Sequence, residues 1–82
     1  EALETATTQT LFIDADSPAK DCTLGEMNLR GRTGATVIAA IREGDSQINP
    51  GPDFRFAPDD IIVLFGSPEE IEKAIDIVTA NP

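Results

Sequence analysis

Histidine, tryptophan and tyrosine are absent from this 82-residue sequence, and cysteine occurs once, at Cys22. Without histidine there is no ordinary general base to activate a serine or cysteine, so the familiar nucleophilic hydrolase arrangements are excluded. A single thiol makes no intrachain disulfide, and no secretory leader is expected before the domain, so a reducing, cytoplasmic setting is expected. Basic residues are scarce too: six against fifteen acidic ones give a formal charge of -9, which repels phosphate backbones and anionic membranes and argues against a nucleic-acid partner. The longest run of large apolar residues, Ile61-Ile62-Val63-Leu64-Phe65, is far short of the roughly 20 needed to span a bilayer. With four phenylalanines as the whole aromatic complement, the core is thin for a chain that buries only about 60% of its unfolded surface, and a partner subunit is expected to supplement it. The sequence opens on Glu1 rather than methionine and is expected to be one domain, residues 1–82, cut from a longer polypeptide.

What is present patterns into short elements. Leu11-Phe12-Ile13 ends a first strand over about 8–13, closed by Asp14-Ala15-Asp16-Ser17-Pro18. Thr23-Leu24-Gly25-Glu26 predicts a capping box opening a short helix that stops before Gly31. Ala35 to Arg42 is β-branched and apolar, and Glu43-Gly44-Asp45 turns it into Ser46-Gln47-Ile48-Asn49, a hairpin. Phe54-Arg55-Phe56 alternates briefly, and residues 61–65 read as a central strand. Ser67 as N-cap, Pro68 at the first helical position and Glu70 as capping partner start a helix over 68–79, with Ile71, Ala74, Ile75 and Val78 on one face and Glu69 four residues before Lys73. The order predicts an α+β fold: a small, mostly antiparallel sheet, a short helix after the first strand and a C-terminal helix.

Few residues point to chemistry. Cys22 reads as a small filler, and Glu69, Glu70 and Glu72 as a solvated helix face. Asp53, Asp59 and Asp60, or Asp14 and Asp16, offer carboxylates to a metal, but aspartates in such Pro-containing stretches are commonly turn formers. Gly31 and Gly34 lack the Gly-Lys-Ser/Thr of a phosphate loop. Four of the six basic residues, Arg30, Arg32, Arg42 and Arg55, fall in the segment that contains the hairpin. Period-2 counting places Arg42 on one sheet face with Ile38 and Ala40, where a guanidinium fork, the Asn49 amide, Pro50 and an apolar floor would converge on an anion. The alternative is a strand-end arginine paired with Glu43 or Asp45.

In order and spacing, Thr23–Arg30, Thr33–Arg42, Ile48-Asn49-Pro50, Phe56–Gly66 and Pro68–Ile71 resemble the C-terminal domain of the regulators of potassium conductance, the TrkA C-terminal domain, over residues 8–79. Two departures stand out: Asp59-Asp60 replaces the family's Gly-Asp, and Asp21-Cys22 its Gly-Lys. The first bears on turn geometry, because aspartate adopts a left-handed backbone less readily than glycine. The resemblance implies a homodimeric, non-catalytic sensory domain, without cofactor, attached to a potassium channel, potassium transporter or cation/proton antiporter. It further implies that an effector such as cyclic di-AMP binds between subunits near Ile38, Ile41, Arg42, Ile48, Asn49 and Pro50. A ligand-free dimerisation domain is the alternative.

Overall fold

The computed structural model describes residues 5–79. Four strands, β1 (Thr7–Phe12), β2 (Thr36–Arg42), β3 (Asp45–Ile48) and β4 (Ile61–Gly66), form one antiparallel sheet in the order β1-β4-β2-β3. The helices are α1 (Leu24–Met27), α2 (Leu29–Thr33) and α3 (Pro68–Thr79). The expected α+β class, hairpin, central strand and C-terminal helix are all present. β4 lies at the centre because it is apolar on both faces: Ile62 and Leu64 are buried, while Ile61, Val63 and Phe65 form the opposite row. Ile71, Ala74 and Val78 of α3 pack on the Ile62–Leu64 side together with Ile13, Leu29 and Phe56.

The local start and turn signals act as their chemistry dictates. Thr23 Oγ1 accepts the Glu26 N–H at 3.1 Å while the Glu26 carboxylate accepts the Thr23 N–H at 2.8 Å. That backbone hydrogen bond, the leading cause, holds the Glu26 carboxyl below its usual range. The same box opens α3, where Ser67 Oγ accepts from the Glu70 N–H and Glu70 Oε1 from the Ser67 N–H. Glu43 and Gly44 have φ of 52° and 85°, the pair of left-handed residues that a two-residue hairpin with right-twisted strands requires.

Four expectations need correction. The single short helix is two: Asn28, with φ 46°, breaks it, and α2 continues through Gly31 until Gly34, at φ 89°, caps it. The Phe54-Arg55-Phe56 stretch forms no strand, only a bridge between Arg55 and Thr23, because Phe56 turns into the core and meets Phe54 edge-on at 5.6 Å. The register of β2 shifts between Val37 and Ala39, leaving Ile38 without a residue opposite it. This irregularity puts Val37 and Ala40 on the core face, so Ile38 does not share a face with Ala40 and Arg42 by simple alternation. Glu69 and Lys73 form no ion pair; among the described residues the one ion pair is Arg42–Asp60.

Asp21 and Asp59, at the positions where the resemblance leads one to expect glycine, have φ of 67° and 75°. The turns therefore keep their left-handed geometry despite the side chains. Asp59 in addition donates its N–H to the Ile13 carbonyl at 2.8 Å. A left-handed L-residue costs about 1–2 kcal/mol, against about 0.5–1 kcal/mol for the greater chain entropy of glycine. Asp59→Gly is accordingly expected to raise stability by about 0.5–1 kcal/mol, read as a higher urea midpoint at unchanged slope.

Candidate functional site

The hairpin end and the loop after it are where the sequence placed a site, and a single buried carboxylate organises them. Asp60 is fully buried. Its Oδ1 accepts from Arg42 Nε at 2.7 Å, and its Oδ2 accepts from Arg42 Nη2 at 2.7 Å and from the Ala57 N–H at 2.9 Å. Arg42 Nη2 donates its second hydrogen to the Arg55 carbonyl at 2.8 Å, and the guanidinium lies 5.1 Å from the centre of the Phe54 ring. Arg55 Nη1 in turn donates to the Asp21 carbonyl. Burial raises the Asp60 pKa, yet the hydrogen bonds from Arg42 and Ala57 and the guanidinium charge outweigh it, and the carboxyl is held below its ordinary value. The bond to Asp60 raises Arg42 correspondingly.

Arg42 is thus paired neither with Glu43 nor with Asp45, and its side-on edge does not face a ligand. Only Nη1 lacks a partner among the described residues. The residue borders a depression of about 390 Å³ whose lining includes Glu43 and Asp45, a surrounding that discourages anions. Asn49 and Pro50 line a different place. They close a cleft of about 310 Å³ whose apolar surface comes from Leu24, Leu29, Val37 and Pro50. Asn28, Arg30, Thr36 and Asn49 add polar groups at its walls. Asn49 takes φ 51° and donates its N–H to the Ile38 carbonyl at 2.8 Å, which ties the loop to the β2 irregularity. Leu24 and Gly25 hold the other wall by donating to the carbonyls of Phe54 and Pro52 at 2.7 and 2.9 Å.

The remaining candidates belong to the outer sheet surface. Ile41 lies opposite Ile61 and Ile48 opposite Ala39, in the row that also contains Phe12, Val63 and Phe65. Ile48 is 68% exposed and Phe12 55%. The expected convergence of Arg42, Asn49 and an apolar floor is therefore not met: the residues are neighbours distributed over a cleft, a separate depression and an open sheet face. Sequence reasoning grouped Arg30 with the other clustered arginines but did not place it, Asn28 or Leu29 in a site. A signal for them exists, because residues 27–42 contain three arginines and no carboxylate in a chain with fifteen. Among the carboxylates once weighed for a metal, Asp60 is committed to Arg42, and no cluster of three or more metal-ligating side chains occurs among the described residues. Cys22 is half-buried against the core with its thiol on the Pro18 carbonyl at 3.4 Å.

Among the described residues, a four-stranded antiparallel sheet carries helices on one face and exposed apolar side chains on the other, which defines a small α+β domain. The chain belongs to the TrkA-C domain family, whose model matches residues 10–79. It is 38% identical over 66 residues to the probable potassium channel protein 2 of Methanocaldococcus jannaschii, covering 80% of this chain and 19% of that one, so it spans about a fifth of that relative. Among solved structures it is similar to the RCK_C domain dimer of S. agalactiae BusR in complex with c-di-AMP, at 26% identity, TM-score 0.74 and 89% coverage of each chain. BusR has also been solved with its busAB-promotor DNA, in a chain of which this one covers 35%. The RCK C domain of the potassium transport protein KtrA, in complex with cyclic diadenosine monophosphate, shares the fold at TM-score 0.79 and 18% identity, over 89% of this chain and 84% of that one.

The Asp60 pair has a direct consequence for acid stability. A carboxyl whose folded pKa is depressed stabilises the fold fully above the ordinary carboxylate range and loses that contribution as pH falls through it toward the folded value. Asp60→Asn is expected to lower stability at pH 7 by about 2–3 kcal/mol, below the usual cost of breaking a buried pair because Arg42 is half-exposed and still reaches water. The variant should also lose less further stability than the parent between about pH 5 and pH 3. Urea titrations at those pH values check both.

Proposed function

We propose that this chain is the ligand-sensing, dimerising regulatory domain of a potassium channel, potassium transporter or cation/proton antiporter, acting on the cytoplasmic side without catalysing a reaction. The observation that carries the reading is the uncovered apolar face of the sheet. Phe12, Ile61 and Phe65 are exposed there by 55%, 36% and 43%, beside Ile48, on a chain whose surface is otherwise dominated by acids. Contiguous exposed apolar surface of this kind is a mark of association, and a self-complementary face suits a twofold homodimer. A second copy also supplies the apolar cover that a chain of this length lacks.

In this reading a small effector sits at the rim of that interface, among Ile38, Ile41, Ile48, Asn49 and Pro50, with Arg42 able to offer only Nη1. Cyclic di-AMP is the effector favoured by the similarity to the BusR domain dimer. Such a ligand regulates the attached transport machinery only if it binds one subunit arrangement better than another, since equal affinity for both shifts nothing. The charge of -9 leaves nucleic acid outside the reading for this domain.

Sedimentation equilibrium is expected to show a dimer at micromolar concentration. Ile48→Glu, at a position too exposed to disturb the core, should weaken it at least tenfold while leaving the monomer folded. Calorimetric titration with cyclic di-AMP should give one ligand per dimer. A monomer at high micromolar concentration would remove the reading, whereas a dimer indifferent to the nucleotide would leave an assembly domain alone.

A further inference from the structure

We propose that Arg30, on α2, is the residue that recognises the anionic group of the effector, and that the cleft between α1–α2 and the Asn49–Pro52 loop holds one purine nucleotide moiety. The inference rests on the effector-binding reading above and assigns its charge contact to a residue outside the hairpin.

The electrostatics of the cleft single it out. In a chain carrying fifteen carboxylates, none of the described ones lines this cleft, and Arg30 is the one charged residue among its described lining. The guanidinium is exposed and has no hydrogen bond or ion pair to any described residue, so no internal partner must be displaced before it binds. Arg42 is the opposite case: two of its nitrogens are spent on Asp60 and the Arg55 carbonyl, and the depression the residue borders also includes Glu43 and Asp45. Arg30 also borders a neighbouring depression containing Glu70, but that carboxylate is held by the Ser67 N–H at 2.9 Å in the α3 capping box. An approaching phosphate therefore meets attraction at Arg30 and repulsion at the hairpin tip.

The rest of the cleft fits a base. Leu29, Val37 and Pro50 give a buried apolar floor on which a flat ring can lie. Asn49 lines the cleft and its carboxamide carries a donor and an acceptor together, the pattern an adenine edge requires, whereas the Asn28 carboxamide packs over Gly31 of α2. A volume of about 310 Å³ is at the small end for ligand sites and takes one nucleotide moiety, not two. A cyclic dinucleotide then presents one base and one phosphate to each of two subunits.

The test is calorimetric titration of the dimeric domain with cyclic di-AMP at rising potassium chloride, for the parent chain, Arg30→Gln and Arg42→Lys. Arg30→Gln is expected to lose about tenfold or more in affinity, the scale of a charged hydrogen bond, with an unchanged urea midpoint. Its residual binding should depend less on salt than that of the parent, because the screened charge contact is gone. Arg42→Lys is expected to lower the urea midpoint and to alter affinity less than Arg30→Gln does. Parent-like affinity and salt dependence in Arg30→Gln, with the parent binding, would overturn this assignment and leave the effector reading standing. Absence of binding by the parent chain at millimolar ligand would overturn both.

Discussion

The buried carboxylate of Asp60 is the constraint on which the end of the sheet depends. Taking a charge out of water is costly, and the structure offsets it by bringing Arg42 from the end of β2, the Ala57 N–H from the preceding loop and a guanidinium–ring contact with Phe54 onto the same few atoms. The Asp60 backbone extends the knot, since its carbonyl accepts from the Ile13 N–H at 2.8 Å just past β1. Three segments distant in sequence are thereby fixed to one residue. The 51–57 loop, anchored in this way, is what Leu24 and Gly25 bond to, so the pair also sets the far wall of the cleft.

Commitment of Arg42 to Asp60 changes what the molecule presents to a ligand. A guanidinium with its side-on edge engaged no longer grips a phosphate in bidentate fashion, and the acidic residues at the hairpin tip oppose one. The carboxylate-free stretch 27–42 shapes the field instead. It lines the cleft with neutral groups and one arginine, a local island in a chain of charge -9. Contact distances matter more here than net charge, because at ordinary ionic strength the diffuse repulsion is screened within about 8 Å.

The outer sheet face and the cleft are mechanically connected. Asn49, in the left-handed region, bonds to Ile38, the residue left unpaired by the irregularity in β2, and the next residue back is Ile48 on the exposed face. In the proposed function, a ligand that moved the 49–52 loop would act on the strand that carries the outward apolar residues. This is the kind of coupling a regulatory dimer needs, one in which occupancy of a site and arrangement of subunits draw on the same backbone bonds.

The sequence by itself determined the elements whose instructions are local. Ser67-Pro68 with Glu70 starts α3, the Ile71–Val78 spacing gives it one buried face, Glu43-Gly44 sets the hairpin, and five large apolar residues in a row send β4 to the centre of the sheet. Hydrogen bonds three residues apart and side-chain periodicity suffice for these. The family resemblance was legible in the same way, through the order of such elements. What the tertiary structure alone decided comes from pairings distant along the chain. Asp60 looked like a turn former because its partner is 18 residues away, and only the folded sheet brings the two charges to 2.7 Å in a dry environment. The unpaired Ile38 likewise depends on the strand beside it. Arg30 lines a cleft because Leu24 and Gly25 of the preceding helix α1 bond to the carbonyls of Phe54 and Pro52, a long-range juxtaposition that no period of 2 or 3.6 encodes.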